Sequence, residues 1–335
     1  MPPSGLLNEV LSHWGYSDVK VCAVKDVFHL QTPDGPRCLK GVGPRGARLA
    51  FVYAATEHIA QSGFIRLNRF IPTGDGLPFL HLDGVSYFMA RWVPGRQCDF
   101  SRLPELRAAT RALAECHAAS VGFLPTDAGA RVSEGRWADT FARRVSELEE
   151  FKGYAACDSS RFSRRLQADI DRCVELARHA LSVLKASDYA RLHERTLTRG
   201  FICHGDVAAR NFIMGCDGLV YIIDFDACRQ DIRVTDLQKH LRRALRRRGW
   251  DFATAKLILE AYQSACPLDD EEWPVLFAFL LFPHKLWRLA ARFYYATQDW
   301  PVAWFTERLE ALSADLPAVS RLLREMEPMC LGRAR

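Results

Sequence analysis

Apolar and polar positions alternate over much of the first hundred residues, and a helical period of 3.6 takes over afterwards. "DVKVCAVKDVFHLQT" (18–32) and "GPRCLKGVG" (35–43) read as strands of a hairpin around the turn "TPDG". "GARLAFVYAATEHIAQSGF" (46–64) has helical spacing and stops at Gly63. "FIRLNRFIPT" and "LPFLHLDGVSYFMARWV" predict further short strands, and "PGRQCDF" a loop. A long helical pattern follows through "LPELRAATRALAECHAAS", with Ser101 as its candidate N-cap. Amphipathic helices are then predicted over 137–151, 161–184 and 189–197, and further helices over 235–248, 252–265, 271–298 and 301–325. The switch in period predicts two parts: a small α/β lobe over residues 1–93 and a larger, mainly helical lobe over 94–335. Clefts between two such lobes commonly hold small ligands.

One segment breaks the helical region. Residues 201–226 read "FICHGDVAARNFIMGCDGLVYIIDFD". Short apolar strands flank the turn "GCDG", and polar residues stand at the strand ends. An unpaired charge beside an apolar strand is costly. A surface turn accounts for Asp217 but poorly for Asp206 or Asp224.

Composition narrows the classes. Of 335 residues, 49% are hydrophobic and 25% charged, the balance of a globular protein. No apolar run approaches the ~20 residues that span a bilayer. The N-terminal stretch lacks the basic and apolar regions of a signal peptide, so synthesis in the cytoplasm is expected. The eleven cysteines are odd in number and contain no C-x-x-C pair, which favours reduced thiols. The ten histidines form no metal-binding pattern. The net charge is +5, with basic density in "KHLRRALRRRGW" (239–250). On a helix Lys239, Arg242, Arg243, Arg246 and Arg247 share a face opposite Leu237, Leu241 and Leu245. A solvated face is the simplest reading, with attraction for anionic partners as the alternative. No nucleic-acid signature accompanies it.

His-Gly-Asp, an Asn five residues on, and an Asp closing the next strand form a constellation suited to phosphoryl transfer. That reaction needs a positioned nucleophile and neutralised phosphate charge. Asp206 can orient an attacking hydroxyl, while Asn211 and Asp224 can supply oxygen ligands to Mg²⁺. Gly205 allows a tight backbone beside His204. The same chemistry calls for a small-lobe lysine paired to a helix glutamate. Lys40 in "RCLKGV" and Glu57 on the following helix are the candidates. No G-x-G-x-x-G lies between Val19 and Lys40, so a phosphate-covering loop of the protein-kinase type is not expected.

"CHGDVAARNFI" with "VYIIDFDACRQDIRVTDLQKHLRR" resembles the aminoglycoside phosphotransferase and choline kinase superfamily. "SGFIRLNRFIPTGDGLPFLHLDGVSYFMARWVPGRQCDFS", "AATRALAECHAAS" and "FPHKLWRLAARFYY" narrow the resemblance to the CotS-type spore coat proteins. It implies an α+β, two-lobed, protein-kinase-like fold with a small antiparallel-sheet N-lobe and a mainly helical C-lobe. It also implies Asp206 as catalytic base, Asn211 and Asp224 as Mg²⁺ ligands, and Lys40 as the ATP-phosphate lysine. His204 and Asp236 would be structural supports, and "ARWVPGR" the hinge that meets adenine. The expected function is an ATP- and Mg²⁺-dependent kinase acting on a hydroxyl of an unknown small molecule or coat component, deposited on the spore coat with other coat proteins as partners. The alternative is a non-catalytic coat protein that retains the fold. The acceptor and the oligomeric state are not legible in the sequence.

Overall fold

β-branched and aromatic residues in the first hundred positions pair into one antiparallel sheet, and the chain after residue 100 is chiefly helical. The computed structural model describes residues 4–43, 46–125, 131–295 and 300–332. The chain divides into two compact units. One comprises residues 1–132 and 199–231, the other 133–198 and 232–335.

In the first unit, helix α1 (Ser4–Ser12) precedes strands β1 (Lys20–Val24), β2 (Val27–Thr32) and β3 (Gly35–Val42). Helix α2 (Gly46–Gln61) leads to β4 (Phe70–Ile71), β5 (Leu80–Leu82) and β6 (Val85–Arg91). The sheet runs in the order β1-β2-β3-β6-β4, with β5 also on β6, and every pairing is antiparallel. The expected turn at 32–35 is present, with Thr32 opposite Gly35. The stretch 18–32, read as one strand, is instead two strands joined at Lys25 and Asp26, with Val24 opposite Val27. Neither residue is a usual hairpin glycine or asparagine, so the turn was hidden; Lys25 takes the left-handed conformation, φ 56°. The alternation of sheet side chains buries Leu30, Leu39, Tyr87 and Met89 together with Val10, Leu11 and Trp14 from α1 and its exit.

Strand β7 (Gly95–Gln97) follows, then helix α3 (Leu103–Ala119). Ser101 does not cap that helix. Its amide and hydroxyl both donate to the Asp99 carboxylate, and the helix begins two residues later with Pro104 in its first turn. The chain returns through β8 (Ile202–Cys203), β9 (Phe212–Gly215), β10 (Val220–Ile222) and β11 (Arg229–Gln230). Strands β10, β9 and β7 form a three-stranded sheet, and β11 pairs with β8. The hairpin read around "GCDG" is therefore present, tied by β7 to the segment that follows the first sheet.

The second unit is helical: α4 (Trp137–Cys157), α5 (Arg161–Gln167), α6 (Ile170–Ala186), α7 (Tyr189–Arg199), α8 (Val234–Arg247), α9 (Phe252–Gln263), α10 (Glu272–Leu281), α11 (His284–Tyr295) and α12 (Val302–Leu331). Two patterns read as single helices are broken. Residues 161–184 split between α5 and α6. Residues 271–298 split at Phe282-Pro283, because proline cannot donate the next helical hydrogen bond; the expected end at 298 lies outside the described residues. Helix α10 is buried on all sides, which is why no amphipathic stripe marked it. Leu237, Leu241 and Leu245 of α8 are buried as expected. The basic face is not uniformly solvated. Arg242 Nη2 donates to the carbonyls of Phe279 (3.3 Å) and Phe282 (2.7 Å), satisfying the end of α10. Asp236 lies fully buried in the first turn of α8, where the helix dipole favours an acid. Its Oδ1 is 3.8 Å from Lys239 Nζ.

Candidate active site

The segment 203–212 is shaped by backbone bonds before its side chains matter. Gly205 has φ 84°, and a β-carbon there would lie 2.3 Å from the carbonyl oxygen of Ala227, so only glycine lets the two strands of chain approach. His204 is nearly inaccessible to solvent. Its Nε2 bonds the Ile223 carbonyl at 2.9 Å, and its Nδ1 accepts from the Asp206 amide at 3.2 Å. A donor at Nε2 and an acceptor at Nδ1 define a neutral tautomer. His204 thus joins the loop to the residue before Asp224.

Asp206 and Asn211 come together across that loop. Asn211, buried, donates through Nδ2 to the Asp206 carbonyl (2.8 Å) and carboxylate (3.2 Å). Its amide oxygen is the acceptor left to offer a cation. Arg210 also donates to the Asp206 carboxylate. The register of β9 and β10, with Ile222 opposite Phe212, carries Asp224 back to this loop. The Ile223 amide donates to the Asn211 carbonyl at 2.9 Å. Asp224 adopts φ 67° and ψ 61°, a left-handed conformation that non-glycine residues seldom hold without a stabilising environment. Its amide is held by Asn68 Oδ1 at 3.3 Å.

Lys40 projects from the middle of β3, opposite Phe88 of β6. Its ammonium lies 3.0 Å from Asp224 Oδ1, 2.9 Å from Asp226 Oδ2 and 3.5 Å from Asp26 Oδ2. Burial works against its charge, and Asp226 and then Asp224 outweigh that cost, holding its pKa well above the usual lysine range. Burial pushes the neighbouring Cys38 thiol up to about 12, so it stays protonated. Glu57, expected to pair with Lys40, instead binds Arg69, with Nε to Oε1 at 2.9 Å. Its place on the α2 helix points it to an arginine of the loop before β4, a partner that spacing along one strand and one helix did not reveal.

Four participants were missed. Asp226 was quoted in the D-F-D run without a role; its separation of two from Asp224 was the available signal. Its carbonyl also accepts from Arg48 Nε and Arg131 Nη1, both at 2.9 Å. Asn68 and Arg48 carried no sequence signal, because their partners are distant in the chain. Asp26 was hidden with the unrecognised β1–β2 turn.

Asp26, Lys40, Asn68, Asn211, Asp224 and Asp226 border a cavity of about 410 Å³. Its apolar walls include Val27, Val52, Phe70, Phe88 and Ile223, while Arg91, Trp92, Val93 and Gly95 of the expected hinge form another side. Phe70 and Phe88 stack at 4.3 Å. The lining of the cavity combines apolar side chains with carboxylates, an amide and a lysine, the mix found in cavities for small ligands. Asn211 and Asp224 offer hard oxygen donors, which suits Mg²⁺ and not a soft metal.

The model of the phosphotransferase enzyme family matches residues 23–276. Spore coat protein S of Bacillus subtilis is 23% identical over 297 residues, covering 86% of this chain and 84% of that protein. Among solved structures, an aminoglycoside phosphotransferase from Alicyclobacillus acidocaldarius superposes with a TM-score of 0.85 at 21% identity, covering 98% of this chain and 96% of that one. A spectinomycin phosphotransferase in complex with ADP and spectinomycin gives 0.65 at 14% identity, covering 98% and 99%. An amicoumacin kinase in complex with AMP-PNP and Ca²⁺ gives 0.61 at 13%, covering 94% of each chain. With the family's pattern spanning well over half its length, this chain is a member of the phosphotransferase enzyme family.

Proposed function

We propose that this chain transfers a phosphoryl group from Mg²⁺-bound ATP to a hydroxyl of a small molecule or of a spore coat component. The observation that carries this reading is the convergence of Lys40 from the sheet with Asp224 from the β9–β10 hairpin, beside a loop that pairs Asp206 with Asn211. In this reading Arg91–Gly95 and the apolar walls receive adenine. Lys40 holds the phosphates. Asn211 and Asp224 hold Mg²⁺, which supplies charge neutralisation for the transferred group. Asp206 accepts the hydrogen bond of the acceptor hydroxyl and takes its proton as the bond to phosphorus forms. Asp226 keeps Lys40 placed and charged while the site is without nucleotide.

The second reading is a coat protein that retains the fold without turnover. Two observations favour it. Spore coat protein S of Bacillus subtilis is similar to this chain over 86% of the chain's length. And the β1–β2 turn presents Asp26, 3.5 Å from Lys40, where a protein kinase would present glycine amides to the phosphates.

ATP consumption against a pooled set of hydroxylated metabolites, aminoglycosides and isolated coat proteins separates the readings. For a kinase, Asp206→Asn keeps ATP binding while transfer falls roughly 10²–10⁴-fold, the range for losing a positioned acid–base group. Turnover that persists unchanged in Asp206→Asn overturns the catalytic assignment. ATP that fails to bind the wild type at all favours the scaffold.

A further inference from the structure

Arg210 belongs to the short 3-10 turn Ala209–Asn211, one residue before the candidate cation ligand and four after the candidate base. The turn is fixed from inside. The Ala208 amide donates to the Asp206 carbonyl at 2.8 Å, the Asn211 amide donates to the Ala208 carbonyl at 2.9 Å, and the Asn211 side chain is buried. Arg210 points outward, with 53% of its side chain exposed. Its Nη2 donates to Asp206 Oδ2, the same oxygen that Asn211 Nδ2 approaches at 3.2 Å. An ion pair this exposed contributes little to stability. Its place says more. Arg210 lines the cavity together with Lys40, Asn211 and Asp224, whereas Asp206 does not. The guanidinium therefore reaches from the Asp206 carboxylate to the cavity wall.

Positive charge in that cavity is largely committed. The Lys40 ammonium has the carboxylates of Asp26, Asp224 and Asp226 within 3.5 Å. Lys25 reaches the cavity from the β1–β2 turn and Arg91 from the hinge side. Arg210 comes instead from the loop that carries Asp206 and Asn211. Phosphoryl transfer spreads negative charge over the three equatorial oxygens of the moving group, and an arginine on those oxygens can raise the rate by roughly 10³–10⁵. The planar guanidinium fork matches phosphate oxygens in pairs, which a lysine ammonium does not. One further constraint points the same way. Asp206 can receive an acceptor hydroxyl at Oδ2 only when Arg210 leaves that oxygen.

We propose, resting on the phosphoryl-transfer reading, that Arg210 is a further catalytic residue. It leaves Asp206 for the terminal phosphate of bound ATP, and the same movement frees Asp206 for the acceptor hydroxyl. In the step that follows, the acceptor oxygen bonds to the terminal phosphorus. The bond from that phosphorus to the bridging oxygen breaks and ADP leaves, while the hydroxyl proton passes to the Asp206 carboxylate. Arg210 exchanges no atom and carries the charge of the transferred group. Until a triphosphate arrives, its pair with Asp206 keeps the base occupied.

The test is calorimetric titration of the full chain, with Mg²⁺ present, using ADP and an ATP analogue whose β,γ-bridging oxygen is replaced by an imido group. Wild type should bind the analogue more tightly than ADP. Arg210→Gln should lose about tenfold or more in analogue affinity, the scale of one charge-assisted contact, and keep ADP affinity within about twofold. That retained ADP binding also shows the variant to be folded. Arg210→Lys should recover part of the loss, since it restores the charge without the fork. An equal change for both nucleotides in Arg210→Gln would mark a merely structural residue and overturn the proposal, as would an unchanged analogue affinity. Lys40→Met separates the two levels of the argument. If it weakens both nucleotides while Arg210→Gln weakens neither, the nucleotide site stands and only the role of Arg210 falls. If wild type binds neither nucleotide, the phosphoryl-transfer reading falls and this role falls with it.

Discussion

At the scale of single residues, Lys40 and Glu57 part company. The ammonium of Lys40 has three carboxylates within 3.5 Å, from the β1–β2 turn and from both acids of the D-F-D run. Glu57 belongs to a separate ion pair with Arg69 at the protein surface, where such pairs contribute little. Lys40→Met should therefore weaken Mg²⁺–ATP binding by roughly tenfold or more, the loss of one charge-assisted phosphate contact. Glu57→Gln should leave that affinity within about twofold, because its partner does not border the cavity. Titration of both variants decides the matter; a large loss in Glu57→Gln would restore the expected lysine–glutamate pair. Asp206, Asn211 and Asp224 were legible because chemistry fixes their types and the hairpin fixes their spacing. Asn68, Arg48 and Asp226 were not, since each acts through a backbone amide, a carbonyl or a charge that only the folded chain brings near.

Among elements, strand β7 shows how a short exposed strand is fixed in place. Its three residues are exposed, yet they pair with β9, the strand that follows Asn211. Glu105 of α3 anchors the strand through a bidentate bond to Arg96, 2.7 Å on each arm, and accepts the Asp99 amide at 2.9 Å. The Arg96 bonds first, then the Asp99 amide, hold the Glu105 carboxyl at about 2, below its usual 4.5. A depressed acid contributes stability that is complete above the unfolded value and fades as pH falls through the folded one. Wild-type stability should thus fall between about pH 4.5 and 2 partly through this group. Glu105→Gln should be less stable than wild type at pH 7, and the gap should narrow across that window. Urea unfolding at several pH values measures it; a gap independent of pH would mean that packing alone makes the difference. Element types were largely readable from period, whereas breaks were not. The Lys25-Asp26 turn lacks the residues that mark turns. The α5–α6 and α10–α11 breaks fall within continuous apolar periodicity, and the latter had only Pro283 to announce it.

For the whole molecule, the relevant quantity is how nucleotide binding feeds into the stability of the fold. The sheet lysine Lys40 and the hairpin carboxylate Asp224 both lie in the unit formed by residues 1–132 and 199–231. A ligand that bridges Lys40, Asn211 and Asp224 ties β3 to the β9–β10 hairpin, segments more than 170 residues apart in sequence. Binding only to the folded state stabilises by about 2.7 kcal/mol at a ligand concentration 100 times Kd, which for a chain of this size is a rise of several degrees in Tm. Mg²⁺ should enlarge that rise, since on the proposed reading Asn211 and Asp224 would hold the cation. Asp224→Ala removes one of those donors and the left-handed aspartate together. In the variant, ATP alone should still raise Tm through the apolar walls and Lys40, while the Mg²⁺-dependent part of the rise should vanish. Thermal unfolding with ATP, with and without Mg²⁺ or EDTA, gives the four numbers needed. If wild type shows no Mg²⁺-dependent increment, or if Asp224→Ala loses the metal-free rise to the same extent as the metal-dependent one, Asp224 is a structural residue and the metal assignment fails.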